Sequence, residues 1–351
     1  MKAGLMAGFL LFGLCQARLE STDPTGPEVR SRPFGAVCNN AAAGACSRRV
    51  EIASLGSDMR NIDQHNVTEA VIDRLANCND PRLKELLTSL VTHLHDFVRE
   101  TRLTEQEWMQ GIGFLTDTGH MCTAQRQEFI LLSDTLGVSM LTVALNQARP
   151  LGATEATVFG PFHVADAPPV EAGTDIACGA PGQSLFVDVE IVNLDGQPVA
   201  GASVDVWQAD DEGLYDVQRP ELGGERRARA VLRTDPAGRT HFRTIVPTAY
   251  PVPTDGPVGR MLMASGRHPW RPAHVHFLIH ASGFQTLTTH IFRDPDPYLD
   301  SDVVFGVRSS LIGTFERHER GPLADAPYFT LSQRFVLAPL AASCWVPGLG
   351  Q

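Results

Sequence analysis

No stretch of this 351-residue chain is apolar for long enough to form a membrane-spanning helix, which needs about 20 consecutive apolar residues. Cysteine is sparse and scattered. The seven residues, at positions 15, 38, 46, 78, 122, 178 and 344, contain no C-x-x-C pair. That excludes a thiolate zinc knuckle and a disulfide framework, and it favours a reducing compartment. Positive charge is in deficit, with 29 Lys and Arg against 40 Asp and Glu. A formal net charge of −11 argues against a nucleic-acid partner and against a basic membrane-binding surface. There is no H-E-x-x-H and no D-x-D-x-D-G loop, so neither a zincin helix nor a calcium loop is present. Sequence repeats and low-complexity arrays are also missing. Tyrosine occurs only four times, so each one can be weighed by itself.

What remains is an ordinary globular composition, 43% hydrophobic and 20% charged, in a chain long enough for one large domain or two. Lys2, an apolar run from Ala3 to Cys15 and Ala17 resemble a secretory signal. Residues 18 to 58 are rich in Pro, Gly, Ala, Ser and Arg without periodicity, and are expected to be disordered. The preferred reading is that residues 1–58 are an upstream extension and that the fold begins near Met59. From Val67 the pattern is helical. Asp80-Pro81 is a capping carboxylate followed by a first-turn proline, and Leu83, Leu86, Leu87, Leu90, Val91, Leu94, Phe97 and Val98 mark one apolar face. Thr104 and Glu107 have the spacing of a capping box, and a further helix is expected from about Thr123 to Gln147. His93 and His95 stand without acidic company and are read as packing residues.

At Pro150 the texture changes to short β-rich runs separated by Gly and Pro. Strands are expected at Ser184–Leu194, Ala202–Ala209, His241–Val246, Ala273–Ala281, Leu287–Phe292 and Tyr328–Leu337. Tyr298 and Tyr328 are assigned β-sheet contexts. The fold class is therefore α+β: a helical region over 59–150, a mainly antiparallel β-sandwich over 151–340 and a tail over 341–351. Within the sandwich, alternation puts His274, His276, Leu278 and His280 on one side of a strand. Two imidazoles side by side on a rigid element suit a metal, although a His-rich strand edge without a ligand has the same sequence.

Three further motifs alter that balance. Trp207-Gln208-Ala209 is followed by Gly213-x-Tyr215, then by Tyr250-Pro-x-Pro-x-Asp-Gly-Pro257, then by Arg271-Pro-Ala-His274-x-His276. With Gly160-Pro161-Phe162, Thr288-Thr289-His290 and Asp300-Ser-Asp-Val-Val-Phe-Gly-Val307, the chain resembles the intradiol ring-cleaving dioxygenases of the catechol and hydroxyquinol group over roughly residues 60–340. The resemblance implies one non-haem Fe(III) per subunit, held by Tyr215, Tyr250, His274 and His276. Ferric iron is a hard acid that favours anionic oxygen, and two tyrosinates with two neutral imidazoles suit it. It further implies catalytic roles for Arg271, Tyr250 and His290, where His290 replaces a glutamine frequent in catechol-specific relatives. The implied substrate pocket is Leu131, Asp134, Val158, Phe159, Gly160, Pro161, Phe162, Val252, Pro253, Arg271 and Val304.

A carboxylate at Asp134 could accept from a third ring hydroxyl, which favours hydroxyquinol over catechol or chlorocatechol; Asp134 could equally cap or pair within its own helix. The implied partners are a small aromatic diol or triol and O2, with a homodimer formed through the N-terminal helices, in some members with lipid between them, and no membrane span. A cytoplasmic location is expected, or a secreted one if the apolar N-terminus is a true signal. A non-catalytic β-sandwich binding module is the reading from another class, since the stretch from Gly196 to Val204 also suits such domains.

Overall fold

A computed structural model describes residues 60–123 and 126–340. The apolar run from Ala3 to Cys15, the remainder of the segment 1–58 and the tail 341–351 lie outside the described residues. Two compact units meet in sequence between Ile112 and Gly113.

The first unit contains α1 (Val67–Asp73), α2 (Pro81–Thr101) and the start of α3 (Glu105–His120). Helix α2 begins as its sequence requires: the Asp80 carboxylate accepts from the backbone N–H groups of Arg82 and Leu83 at 2.9 and 3.1 Å. Thr104 and Glu107 cap α3 reciprocally, at 3.0 and 3.2 Å. His95 bonds Thr68 and His93 bonds the Ser89 carbonyl, both local packing roles. No single helix among the described residues is long and apolar enough to cross a membrane.

In the second unit, the single helix expected over Thr123–Gln147 is instead two, α4 (Glu128–Thr135) and α5 (Val138–Asn146), bent by 76°. The break is at Gly137, whose φ of +74° is left-handed and open at little cost only to glycine. Cys78, Cys122 and Cys178 are free thiols.

Two sheets form the sandwich. One has the order β10-β11-β1-β4 and the other β3-β2-β7-β8-β9, from β1 (Ser184–Asn193), β2 (Ser203–Gln208), β3 (Arg229–Arg233), β4 (Arg239–Ile245), β7 (His274–His280), β8 (Leu287–Asp294), β9 (Ile312–Thr314), β10 (Glu316–His318) and β11 (Tyr328–Leu337). Most pairs are antiparallel, as expected, but β1 runs parallel to β11 over ten residues and β8 parallel to β9. A two-residue ribbon, β5 (Tyr250–Pro251) with β6 (Trp270–Arg271), and the short helix α6 (Pro257–Ala264) complete the unit. Tyr298 is not in a strand: it sits in a turn after β8, stacked on Trp270 at 5.3 Å and 3°.

The core between the sheets is built by alternation. Leu185, Val187, Val189 and Ile191 of β1 meet Val204, Val206, Val275, Phe277, Ile279, Leu287 and Ile291. Burial of each such side chain contributes about 1.5–3 kcal/mol. The same alternation sends Trp207, His274, His276 and His290 to the opposite face of the second sheet. That face carries the site.

Candidate metal centre

Sheet register brings the histidines together. In β7, His276 is the Cα partner of Trp207 in β2 and of His290 in β8, while His274 lies two residues away, opposite Phe292. The β5–β6 ribbon sets Tyr250 directly opposite Arg271. Tyr215 arrives from a loop that its own polar groups fold. Asp210 accepts from the N–H groups of Glu212 and Leu214, each at 3.0 Å, and Arg219 holds the same carboxylate. Gly213, at φ +81°, lets that loop approach Tyr250, because a Cβ there would lie 2.8 Å from the Tyr250 Cβ. Asp216, next to Tyr215, makes a buried ion pair with Arg229 through Nε at 2.8 and 2.9 Å. Tyr215 N–H donates to Gln218 Oε1 at 3.0 Å.

Four donor atoms converge as a result. Tyr215 Oη lies 2.8 Å from His276 Nε2 and 3.2 Å from Tyr250 Oη, and the Nε2 atoms of His274 and His276 are 3.1 Å apart. Ligand atoms about 2.0–2.1 Å from one ion are separated by roughly this amount. His274 Nδ1 donates to the Pro272 carbonyl at 2.7 Å, which leaves its Nε2 lone pair aimed at the cluster. Burial pushes the His274 pKa down to about 3, with Arg271 adding to the effect, and burial drives His276 and His290 well down too. All three rings are therefore neutral rather than cationic. Burial raises the Tyr215 phenol well above its ordinary range, and the neighbouring Tyr250 reinforces this. Two phenol oxygens and two imidazole nitrogens thus meet in a buried setting at the spacing that ligands of one cation take, and this donor set fits a hard cation.

The ring nitrogens of His274, His276 and His290 lie within 4.8 Å of one another. His290 stacks on His274 at 4.7 Å and 16°, and its Nδ1 is 3.5 Å from Arg271 Nη2. Arg271 Nη1 lies 3.3 Å from His274 Nε2 and 3.5 Å from Tyr250 Oη. Burial alone would weaken its charge, but the paired Asp302 carboxylate overrides this and keeps the guanidinium protonated.

A cavity of about 440 Å³ opens beside Tyr250 and Arg271, and Leu131, Val158, Pro161, Phe162, Val252 and Val304 give it apolar walls. A flat aromatic ring suits such walls. The Asp134 carboxyl reaches the same cavity, and its partner is Ser139 of the following helix rather than a group in its own.

Comparison with known proteins extends over nearly all of the described residues. Residues 80–154 match the catechol dioxygenase N-terminus family and residues 158–338 the dioxygenase family. The chain belongs to the intradiol dioxygenases. It is 58% identical over 281 residues to the 6-chlorohydroxyquinol 1,2-dioxygenase of Cupriavidus pinatubonensis, covering 80% of this chain and 99% of that one. It is 46% identical to the hydroxyquinol 1,2-dioxygenase of a Rhizobium species, over 82% of this chain and all of the relative. The crystal structure of the hydroxyquinol 1,2-dioxygenase of Pseudomonas putida superposes with a TM-score of 0.73 at 45% identity, covering 79% and 99% of the two chains. The intradiol dioxygenases are non-haem iron oxidoreductases, so the chain is an enzyme and the reading as a non-catalytic binding module falls away.

Of the pocket residues expected for this dioxygenase, one departs. Phe159 does not line the cavity. It is 43% exposed, with its ring against His163 at 4.8 Å and Trp207 at 5.8 Å. Between Val158 and Gly160, both at the cavity, its side chain is turned the other way. Asp302, Asp216 with Arg229, and the cavity residues Arg126, His163 and Gln218 escaped the sequence reading. Asp302 lies inside a motif quoted for the resemblance, but spacing alone does not pair it with Arg271, 31 residues away.

Gly160 supplies a test of how tightly this centre is packed. At φ +79° an added Cβ would lie 3.1 Å from His276 Cε1. Gly160→Ala is expected to cost about 1–2 kcal/mol of stability from backbone strain and to disturb His276. Denaturant unfolding checks this, and an unchanged midpoint would contradict the packing.

Proposed function

We propose that this enzyme cleaves hydroxyquinol, 1,2,4-trihydroxybenzene, with O2 between its adjacent hydroxyl-bearing carbons, giving a hydroxymuconate or maleylacetate-type diacid. The observation that carries the substrate is Asp134, a carboxyl 7% exposed that reaches the cavity beside the apolar walls of Leu131, Val158 and Val304, supported by relatives named for hydroxyquinols. Tyr215, Tyr250, His274 and His276 would hold one Fe(III), which when bound would supply Lewis-acid activation of the aromatic diol toward O2.

The chain's own residues do the rest. Leu131, Val158, Gly160, Pro161, Phe162, Val252, Pro253 and Val304 hold the ring flat and keep water from it. Tyr250 Oη takes a proton from a substrate hydroxyl. Arg271 stabilises the negative charge that develops on the ring and the reacting oxygen, and its fixed, buried setting makes that charge effective. His290 exchanges a proton beside it. Asp134 accepts from the third hydroxyl.

A panel of hydroxyquinol, catechol and chlorocatechol, followed at the absorbance of the ring-opened product, tests the substrate. Hydroxyquinol is expected to be turned over fastest; catechol turned over at least as fast would favour the catechol reading. Asp134→Asn is expected to lower kcat/KM for hydroxyquinol about tenfold and to leave catechol nearly unchanged, because only the third hydroxyl exchanges a carboxylate acceptor for a weaker amide oxygen. The same variant reports on stability. Burial raises the Asp134 pKa, against smaller opposing effects of Ser139 and Arg271. An acid whose folded pKa is raised costs stability as pH rises through and above its ordinary value of about 3.9. Asp134→Asn should therefore raise the melting temperature at neutral pH and not at the acid end.

The helical region serves as a homodimer interface in this reading. The apolar stripe of α2 includes no fully buried residue, and a groove beside it is walled by Val67, Val98, Leu103 and Trp108, apolar enough for a lipid chain. The enzyme acts in the cytoplasm, where its free thiols stay reduced.

A further inference from the structure

The two imidazoles of the proposed iron site are restrained in different ways. His274 has the usual tether of a ligating histidine, an Nδ1–H bond to a backbone carbonyl. His276 has none: no atom of the described residues accepts from its buried Nδ1. Without such a tether the ring can turn about its Cβ–Cγ bond, and turning carries Nε2 away from the other donors.

Packing restrains it instead. The Trp207 indole lies flat on the His276 ring, with centroids 4.6 Å apart and 15° between the planes. The stack is fixed by the sheet, because Trp207 and His276 are register partners. His290 meets the ring edge-on at 4.0 Å, and Gly160 closes on its Cε1. Trp207 is itself clamped. His163 stands edge-on to the indole at 4.8 Å, and its Nε2–H donates to Asp205 Oδ2 at 2.7 Å. Asp205 is two residues before Trp207 in β2, on the same face. A buried tryptophan normally finds a hydrogen-bond partner, yet the buried Trp207 Nε1–H has none among the described residues. The residue contributes a flat surface, not a donor.

The geometry points to Trp207 as a positioning residue that holds His276 Nε2 toward the metal by stacking, in place of the hydrogen bond His276 lacks, with Asp205 and His163 bracing the indole. The inference rests on the iron reading above.

It is tested on full-length iron-loaded protein by the visible tyrosinate-to-iron absorption and by the rate of iron loss to a hydroxamate chelator. Loss of an orienting contact around a metal ligand weakens the site about 10- to 100-fold, so Trp207→Leu is expected to lose iron about tenfold faster with a shifted band. Trp207→Phe, which keeps a ring to stack, is expected to remain close to wild type. Asp205→Asn is expected to accelerate loss by a smaller factor, and it decides the matter should the leucine variant fail to fold. A folded leucine variant with wild-type band and release rate overturns the inference, as does an unchanged Asp205→Asn if that variant has to stand in. A wild-type protein with no such band instead refutes the iron reading itself.

Discussion

Tyr215→Phe is expected to strip the protein of its iron and its colour, and to lower kcat/KM for ring opening on the order of 10³-fold or more. The substitution is close to isosteric. Tyr215 is fully buried and stacked on Phe162 at 4.5 Å, so a phenylalanine keeps the packing and removes one oxygen. That oxygen stands 2.8 Å from His276 Nε2 and 3.2 Å from Tyr250 Oη. Burial disfavours its ionised form, so a tyrosinate there is stable only beside a cation. Metal analysis and the visible spectrum of purified variant and wild type check the outcome. A variant that keeps its iron and its band would remove Tyr215 from the ligand set.

Asp302→Ala is expected to destabilise the protein by about 3–5 kcal/mol, the cost of removing one partner from a buried ion pair. Arg271 donates to both carboxylate oxygens, at 3.1 and 3.3 Å, with the two side chains 4% and 2% exposed. The carboxylate also accepts from Gly306 N–H at 2.9 Å and Val304 N–H at 3.3 Å, and so folds the loop that brings Val304 to the cavity. Its removal leaves a buried guanidinium facing His274, His290 and Tyr250 without a counter-charge. Burial would raise the Asp302 pKa, but Arg271 outweighs it and the net shift is downward. A depressed carboxylate contributes stability that is complete above its ordinary pKa, about 3.9, and is lost as pH falls toward the folded value. The gap between wild type and Asp302→Ala should therefore be widest at neutral pH and narrow in acid. Urea unfolding at both pH values measures it, and a gap under about 1 kcal/mol at neutral pH would contradict the assigned ion pair.

Elements whose side chains alternate or recur over a long run were legible in the sequence. Strands β1, β7 and β11 and helix α2 fall close to their expected bounds, since one buried face imposes the period. Elements set by distant partners were not. Strand β3 is five residues that begin and end with arginine, and it exists as a strand because it pairs with β2. The break at Gly137 is one glycine in an otherwise apolar stretch, and only its left-handed φ distinguishes it from a tolerated helical glycine. At the site, two histidines on one face of a strand were visible from alternation, but the tyrosines came from family resemblance alone. Phe159 was misassigned because its neighbours on both sides reach the cavity. The supports of the centre depend on distant chain, Trp207 meeting His276 through sheet register and Asp302 reaching Arg271 from a loop, and local spacing encodes neither.

The mass of the product formed from hydroxyquinol by the iron-loaded enzyme under isotope-labelled O2 tests the central claim most directly. The account predicts an acyclic diacid opened between the two adjacent hydroxyl-bearing carbons and carrying both labelled oxygen atoms. A product with one label or none, or one opened beside the diol rather than within it, would contradict it.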